Sequence, residues 1–333
     1  MVWPTDFITR FLRRCRTEVI LVTGANGFVA SRLIGQLELA GRNDILRSVR
    51  GGAHVGRTFV SGDLSAHNDW GPALIDVDTV VHGAARVHVM NDSAPDALSQ
   101  YRSVNVDGTL NLARQAAQVG VKRFIYISSI KVNGEVTSIE TPFSADDPPA
   151  PHDPYGISKL EAEQSLRQVS METTMDVVII RPPLVYGPGV RANFLSMLRA
   201  VHRGIPLPLG AVKNLRSFVA LDNLVDLLIR CLTHPAARNQ TFLVSDGEDL
   251  STTDLLVRLG HALGRPARLI PVPAPLFTFA AGLLGKRDIA QRLCGSLRLD
   301  IDKTRRILDW DPPITVDEGF RRVAEAFLHE ARV

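Results

Sequence analysis

Glu18 to Ala30 reads EVILVTGANGFVA, and its two halves call for different structures. Glu18 to Thr23 is a short apolar run with β-branched residues that meets Gly24 at once, which predicts a buried strand ending in a turn. Phe28 to Ala40 then places Val29, Leu33, Leu37 and Leu39 at helical spacing. Between the halves, Gly24 permits a sharp turn, and Gly27, lacking a Cβ, lets a pyrophosphate come close to the backbone. The helix N-terminus beyond offers unpaired N–H groups and the positive end of a dipole. Ala30 stands where such turns often carry a third glycine, and it is small enough for the helix to pack on the strand. Gly24, Asn26, Gly27, Phe28 and Val29 are therefore expected against a dinucleotide.

The same rhythm continues outward. Strands are predicted at Ile45–Val49, Thr58–Val60, Val77–His82, Arg123–Ser128 and Asp176–Arg181, with helices over Ala94–Val119 and Pro154–Met171. Short, continuously apolar strands alternating with long helices imply right-handed crossovers and a parallel sheet covered on both faces. The predicted fold class is α/β, a Rossmann-type doubly wound sheet. Beyond Pro182 the rhythm weakens and proline and glycine become frequent, which suggests a smaller mixed lobe. The expected organisation is an extension over residues 1–17, a dinucleotide-binding domain over 18–181 and a second lobe over 182–333. The scheme leaves room for part of the later chain to return to the first domain.

With 333 residues, 45% of them hydrophobic and 22% charged, the chain can bury a large core and is not a disordered one. Its net charge of +3 is small and its bases are spread along the chain, so no nucleic-acid partner is expected. Cys15, Cys231 and Cys294 form neither a CxxC pair nor a metal-ligand spacing; reduced thiols, no metal and a cytoplasmic location are expected. The N-terminus lacks the pattern of a signal peptide. As a helix, residues 1–17 would be a basic amphipathic segment, with Trp3, Phe7, Phe11 and Leu12 beside Arg10, Arg13, Arg14 and Arg16; a loosely attached extension is the preferred reading over a membrane-surface contact. The longest apolar stretch, Leu269–Gly285, is broken by Pro271, Pro273 and Pro275 and is short for a membrane span, so no stable insertion is expected. It reads as core, lid or membrane-facing surface, with core or lid preferred.

The end of the second strand bears on the choice of cofactor. A chain that binds NAD usually places Asp or Glu there for the ribose 2′-hydroxyl. Here the position is Ser48, followed by Val49 and Arg50. A serine can donate to a phosphate and an arginine can grip one bidentately, so NADP(H) is expected over NAD(H). Asp63, in Gly62-Asp63-Leu64, would lie beside the adenine, where a carboxylate can accept from the exocyclic amine.

Tyr155-Gly156-Ile157-Ser158-Lys159 is the most informative pentapeptide. Tyr155 and Lys159 are four residues apart and share one helix face. A tyrosine titrates near ~10 by itself, and an ammonium nearby together with an oxidised nicotinamide would lower that value. Ser128 and Ser129 end the fifth strand, at the carboxyl edge where such sheets bind ligands.

With these motifs the chain resembles the extended short-chain dehydrogenase/reductases, and more narrowly the UDP-sugar epimerase, dehydratase and 4-ketoreductase group. The resemblance runs from Glu18 to about Glu325. It includes Val81–Ala85, Asn105–Thr109, Tyr126–Gly134 and Arg181–Gly189. It implies that Ser129, Tyr155 and Lys159 are catalytic. It places Leu64, Ala84, Ala85, Asn105, Pro182 and Val185 along the cofactor. It gives the sugar nucleotide Ser129, Asn193, Phe194, Leu207, Pro208 and Arg216, the last an arginine for the diphosphate. The second diphosphate arginine of many relatives has no clear match, and Arg287, Arg292 and Arg298 stay open. A homodimer is expected through the helices that flank the active site.

Three reactions share this machinery. Relatives that dehydrate carry Asp-Glu after the catalytic hydroxyl, and here Ile130-Lys131 supplies no acid. A 4-ketoreductase consumes its cofactor and suits NADPH, whereas a 4-epimerase regenerates a tightly held NAD. SSIKVNG, Ser128 to Gly134, resembles bacterial UDP-N-acetylquinovosamine-type 4-ketoreductases. The reading is NADPH-dependent reduction at C4 of a UDP-4-keto-6-deoxy-N-acetylhexosamine for surface polysaccharide. A UDP-sugar 4-epimerase is the alternative, and a non-catalytic NADP-binding regulatory protein is the alternative of another class.

Overall fold

A computed structural model describes residues 18–52, 56–87, 96–283, 285 and 287–331. The expected N-terminal extension, residues 1–17, lies outside them. Seven strands form one sheet in the order β3-β2-β1-β4-β5-β6-β9. They are β1 (Val19–Thr23), β2 (Ile45–Val49), β3 (Thr58–Val60), β4 (Val77–His82), β5 (Arg123–Ile127), β6 (Asp176–Arg181) and β9 (Thr241–Leu243). Every pair from β3 to β6 is parallel. The expected doubly wound sheet is present, and its strand order reverses between β1 and β4, the usual place for a ligand.

Alternation along the strands explains why both faces are apolar. Leu21, Val80, Phe124, Tyr126 and Ile179 join one core with Leu112, Ala116, Ala162 and Leu166 from the helices. Ile20, Val22, Val81, Ile125 and Ile180, pointing the other way, are equally buried. Helix α1 (Phe28–Leu39) buries Ala30, Leu33, Ile34 and Leu37.

The helix expected over Ala94–Val119 is not continuous. Helix α2 (Ala97–Arg102) passes into a π-helical turn over Ser103–Gly108 and then into α3 (Thr109–Gln118). The wider turn holds Asn105 fully buried, and its amide explains the distortion. Its Oδ1 accepts from the Arg86 N–H (2.8 Å), and its Nδ2 donates to the Arg86 carbonyl (3.1 Å) and to the Ser158 hydroxyl (3.0 Å). Helix α4 (Pro154–Glu172) starts at Asp153, which caps the Gly156 N–H at 2.7 Å, with Pro154 in its first turn.

The chain divides into two compact units. The first runs to Gly134 and adds Pro148–Arg181 and Val225–Phe242; the second has Glu135–Asp147, Pro182–Leu224 and Leu243 onward. The second unit holds the sheet β10-β8-β7, made of β7 (Leu184–Tyr186), β8 (Arg216–Ala220) and β10 (Asp249–Leu250). Its helices include α5 (Ala192–His202), α7 (Thr252–Ala262), α8 (Ala274–Leu283), α9 (Arg287–Cys294), α10 (Asp302–Leu308) and α11 (Val316–Glu330); α6 (Leu221–Thr233) starts in this unit and continues into the first. The apolar stretch Leu269–Gly285 is not core: α8 buries none of its side chains. Leu276, Phe279 and Leu283 stand exposed on it, while Phe277 is half-buried.

Candidate active site

The phosphate turn is shaped by what its glycines exclude. Gly24 has φ +67°, and a Cβ there would meet the Ala84 backbone at 2.9 Å. At Gly27 a Cβ would stand 2.9 Å from the Gly24 carbonyl, whose oxygen accepts the Gly27 N–H at 2.7 Å. Gly27 is the N-cap of α1 and has no side chain to cover the first turn. The N–H groups of Phe28 and Val29 therefore lack partners within the helix, and Asn26 and Gly27 are exposed. The turn fits the pyrophosphate of a dinucleotide.

A buried chain of side chains fixes the strand ends behind it. Thr23 Oγ1 and His82 Nδ1 are 2.7 Å apart, and His82 Nε2 and Thr109 Oγ1 are 2.9 Å apart. The Ala84 N–H donates to Thr23 Oγ1 at 3.2 Å, while Ala85 lies half-buried beyond it. Burial, aided by the Lys159 charge, pushes His82 down to about 3, so it is neutral here. Leu64 is buried against Gly108, where a Cβ would come within 2.7 Å of it.

At the cofactor-selecting position one expectation needs correcting. Ser48 is buried and its hydroxyl donates to Ser61 at 3.2 Å, so it is not presented to a ribose phosphate. Arg50 is exposed and lies 3.8 Å from an equally exposed Asp63, a weak pair that a phosphate could replace.

The structure brings Ser129, Tyr155 and Lys159 to the carboxyl end of β5. Ser129 caps a short 3-10 turn over Ile130–Val132, its hydroxyl accepting the Lys131 N–H at 3.3 Å, and it stands near enough to Tyr155 to lower the phenol's pKa. Ser128 instead turns inward and donates to Glu163 at 2.6 Å, which separates the two serines by role. The first turn of α4 presses on the 3-10 turn so closely that a Cβ on Gly156 would meet the Lys131 carbonyl at 2.9 Å. Lys131 pairs with Asp153, so the segment that carries acids in dehydrating relatives presents a buried Ile130 and a lysine already engaged.

Tyr155 is held above its usual value, first by burial and then by Asp153, with Ser129 pulling the other way. The lowering expected from Lys159 is not among these causes. Lys159 Nζ donates to the Ile127 carbonyl at 2.7 Å and sits 4.3 Å over the Tyr126 ring. Burial pushes it down to about 7, with Glu163 opposing. Three features here were not read from the sequence. One is the Tyr126 ring, whose hydroxyl is buried without a hydrogen-bond partner. The second is the His82 chain. The third is Glu163, which binds Arg181 bidentately (2.9 and 2.6 Å) while Arg181 also donates to Asn133 at 2.9 Å. Glu163 follows Lys159 by four residues on the same face, and that spacing was the available signal.

In the second unit the substrate candidates separate. The Phe194 ring is buried and stacked on Tyr186, with centroids 5.4 Å apart, so it is a packing residue and offers a ligand backbone only. Asn193 beside it is exposed, and Leu207, Pro208 and Val185 are half-buried, whereas Pro182 is buried. Arg216 donates to the Gly295 carbonyl at 3.0 Å, and its guanidinium is held below its ordinary value by burial and by Arg292. Arg292, whose charge is part of that lowering, is itself exposed. Arg298 is committed to Asp249 (2.7 Å) and the Ile139 carbonyl, and the Arg287 side chain lies outside the described residues.

A turn built for a dinucleotide, on the same sheet whose strand end brings a serine beside a helix-borne tyrosine and lysine, is an arrangement for moving a hydride and a proton together. It defines a nicotinamide-dependent enzyme of the extended short-chain dehydrogenase/reductase type. The model of the NAD dependent epimerase/dehydratase family matches residues 20–245, and the chain belongs to that family. It is 48% identical over 312 residues to a UDP-glucose 4-epimerase of Vibrio cholerae, covering 93% of this chain and 95% of the relative. It is 28% identical to an N-acetyl-alpha-D-glucosaminyl-diphospho-ditrans,octacis-undecaprenol 4-epimerase of Escherichia coli O157:H7, covering 93% and 96%. Among solved structures it resembles MoeE5 in complex with UDP-glucose and NAD, with a TM-score of 0.75, 25% identity and coverage of 94% and 99%.

Proposed function

We propose that the protein transfers hydride at ring C4 of a UDP-hexose, and that its net reaction is NADPH-dependent reduction of a 4-keto sugar. The observation that carries this reading is the meeting of Ser129, Tyr155 and Lys159 at the end of β5, with Lys159 anchored to the Ile127 carbonyl, beside a segment, Ile130-Lys131, that lacks any acid for dehydration. When bound, the nicotinamide supplies the hydride that arrives at C4. Tyr155 gives its proton to the oxygen as the C4–O double bond becomes a C4–OH. Ser129 fixes that oxygen and polarises it. Lys159 holds the ribose hydroxyls and adds positive charge near the developing alkoxide. The turn of Gly24, Gly27, Phe28 and Val29 holds the pyrophosphate, and Arg216 holds the sugar's diphosphate.

The preference for NADPH rests on Arg50 and on the missing acid at the end of β2, with Ser48 no longer part of the argument. A second reading, a UDP-sugar 4-epimerase with tightly held NAD, is favoured by the Vibrio cholerae relative. A purely regulatory NADP-binding role is disfavoured by the retained tyrosine and lysine. UDP-sugar chemistry suits the cytoplasm, and among the described residues no helix is long and apolar enough to cross a membrane. A homodimer through the helices that flank Tyr155 is part of the proposal, and light scattering reads it directly.

The test mixes the purified protein with UDP-4-keto-6-deoxy-N-acetylglucosamine and NADPH. Stoichiometric loss of NADPH absorbance with a C4-reduced product supports the reductase. No loss, with interconversion of UDP-glucose and its C4 epimer without added cofactor, replaces it by the epimerase.

A further inference from the structure

Leu276, Phe279 and Leu283 on α8 stand 58%, 65% and 75% exposed. Their spacing of three and four residues puts them on one stripe. Ile270 before the helix and Ile289 on α9 are half exposed as well. A helix of a folded domain normally turns such a stripe inward, and a contiguous exposed one marks contact with another body.

The charge around the stripe indicates which body. Between Asp254 and Asp288 the sequence has no acidic residue, yet it carries Arg258, Arg265, Arg268, Lys286 and Arg287. Arg268 is exposed two residues before Ile270. An apolar ridge with an exposed arginine beside it, in a stretch of chain without acids, complements anionic headgroups above hydrocarbon. Ten residues rise only about 15 Å, half a hydrocarbon core, so the helix can lie on a bilayer but not cross it.

Both ends of this apolar segment are tied to candidate substrate residues. The Ile270 N–H donates to the Leu207 carbonyl (2.8 Å) and its own carbonyl accepts the Gly210 N–H (2.9 Å). Helix α9 leads to Gly295, whose carbonyl accepts from Asn214 (2.9 Å) and Arg216 (3.0 Å).

We propose that α8 docks the protein on an anionic lipid surface, with Leu276, Phe279 and Leu283 at the headgroup–acyl boundary and Arg268 on the headgroups. The test sediments the full chain with vesicles of phosphatidylglycerol and phosphatidylcholine in equal parts, and with phosphatidylcholine alone. Binding is expected to the mixed vesicles, weaker with added salt and weaker still to phosphatidylcholine. The double variant Phe279→Ser, Leu283→Ser should bind about tenfold less or worse, since affinity follows buried apolar area, with an unchanged melting curve. Arg268→Glu should also weaken binding to the mixed vesicles. Failure of the wild-type chain to bind mixed vesicles overturns the proposal, as does equal binding by the double variant. A double variant that breaks an oligomer in light scattering, with vesicle binding unchanged, assigns the stripe to a second copy and equally overturns it. None of these readouts depends on turnover, so the outcome is independent of the reductase assay.

Discussion

Tyr155 gives up the proton in the proposed reaction, and its surroundings decide when it can. Burial and Asp153 keep the phenol protonated far above neutral pH, so its own ionisation does not limit reduction. Lys159 does titrate in range, pushed down to about 7 by burial. Its ammonium prevails below that value and is lost above it. Reductive kcat/KM should therefore hold on the acid side of about pH 7 and fall on the alkaline side, and Lys159→Met should abolish that limb. Tyr155→Phe should lower kcat at least ~100-fold, the usual worth of a positioned acid, with cofactor binding retained in fluorescence titration. Arg50→Glu should raise the KM for NADPH about tenfold, one lost charge-assisted pair, and leave NADH unaffected; equal effects on both would remove the 2′-phosphate from the argument. The catalytic pair was legible in the sequence because a spacing of four residues has one meaning on a helix. Ser48 misled because its hydroxyl is engaged by Ser61, thirteen residues away just past the neighbouring strand. Glu163 was missed because its partners Ser128 and Arg181 lie on other elements.

Among the elements, the buried parallel strands were the most legible. Each is covered on both faces, so each announces itself as a short apolar run, and the observed bounds of β1 to β6 depart from the expected ones by a residue or less. The π-helical turn was not legible, since it depends on Asn105 reaching Arg86 and Ser158 across the fold. The link between β1, β4 and α3 was equally hidden. Thr23, His82 and Thr109 form it, and each alone is unremarkable in sequence. His82→Leu would leave both threonines short of a partner and should cost about 1–3 kcal/mol, read as a lower denaturant midpoint. His82 is neutral in the fold, with its pKa lowered from 6.5 to about 3. Its contribution is complete above about pH 6.5 and erodes as pH falls toward 3, because only the unfolded chain takes up the proton there. Asp246, raised to about 6 by burial, acts in the opposite sense over part of that range. The readable quantity is thus the stability gap between wild type and His82→Leu. It should shrink by about 1–2 kcal/mol between pH 7 and pH 5, and a gap that widens would mean the imidazole is charged.

For the whole molecule, the chain passes between its two compact units more often than a linear reading suggests. Residues 18–181 hold the recognisable motifs, but they are not the complete first unit, which also includes Val225–Phe242. That returning segment meets specific needs. The buried Arg123 guanidinium donates to the carbonyls of Cys231, Leu232 and His234 at 2.8, 3.1 and 3.2 Å. Strand β6 is bonded through the Ile179 N–H to the Gln240 carbonyl (3.0 Å) and through the Val177 N–H to Asn239 Oδ1 (2.9 Å). Without the segment, β6 becomes an open, apolar edge, the arrangement most prone to pairing with other chains. The arginine also loses three acceptors and keeps only its pair with Asp176 (3.5 Å). A fragment of residues 18–181 should therefore aggregate or unfold without a cooperative transition, despite carrying every catalytic candidate. The same fragment joined by a short flexible linker to residues 225–242 should recover a single transition in circular dichroism and bind dinucleotide. A cooperative melt from 18–181 alone would show that the edge strand and the three carbonyl contacts are dispensable, and that the returning segment serves the second unit instead.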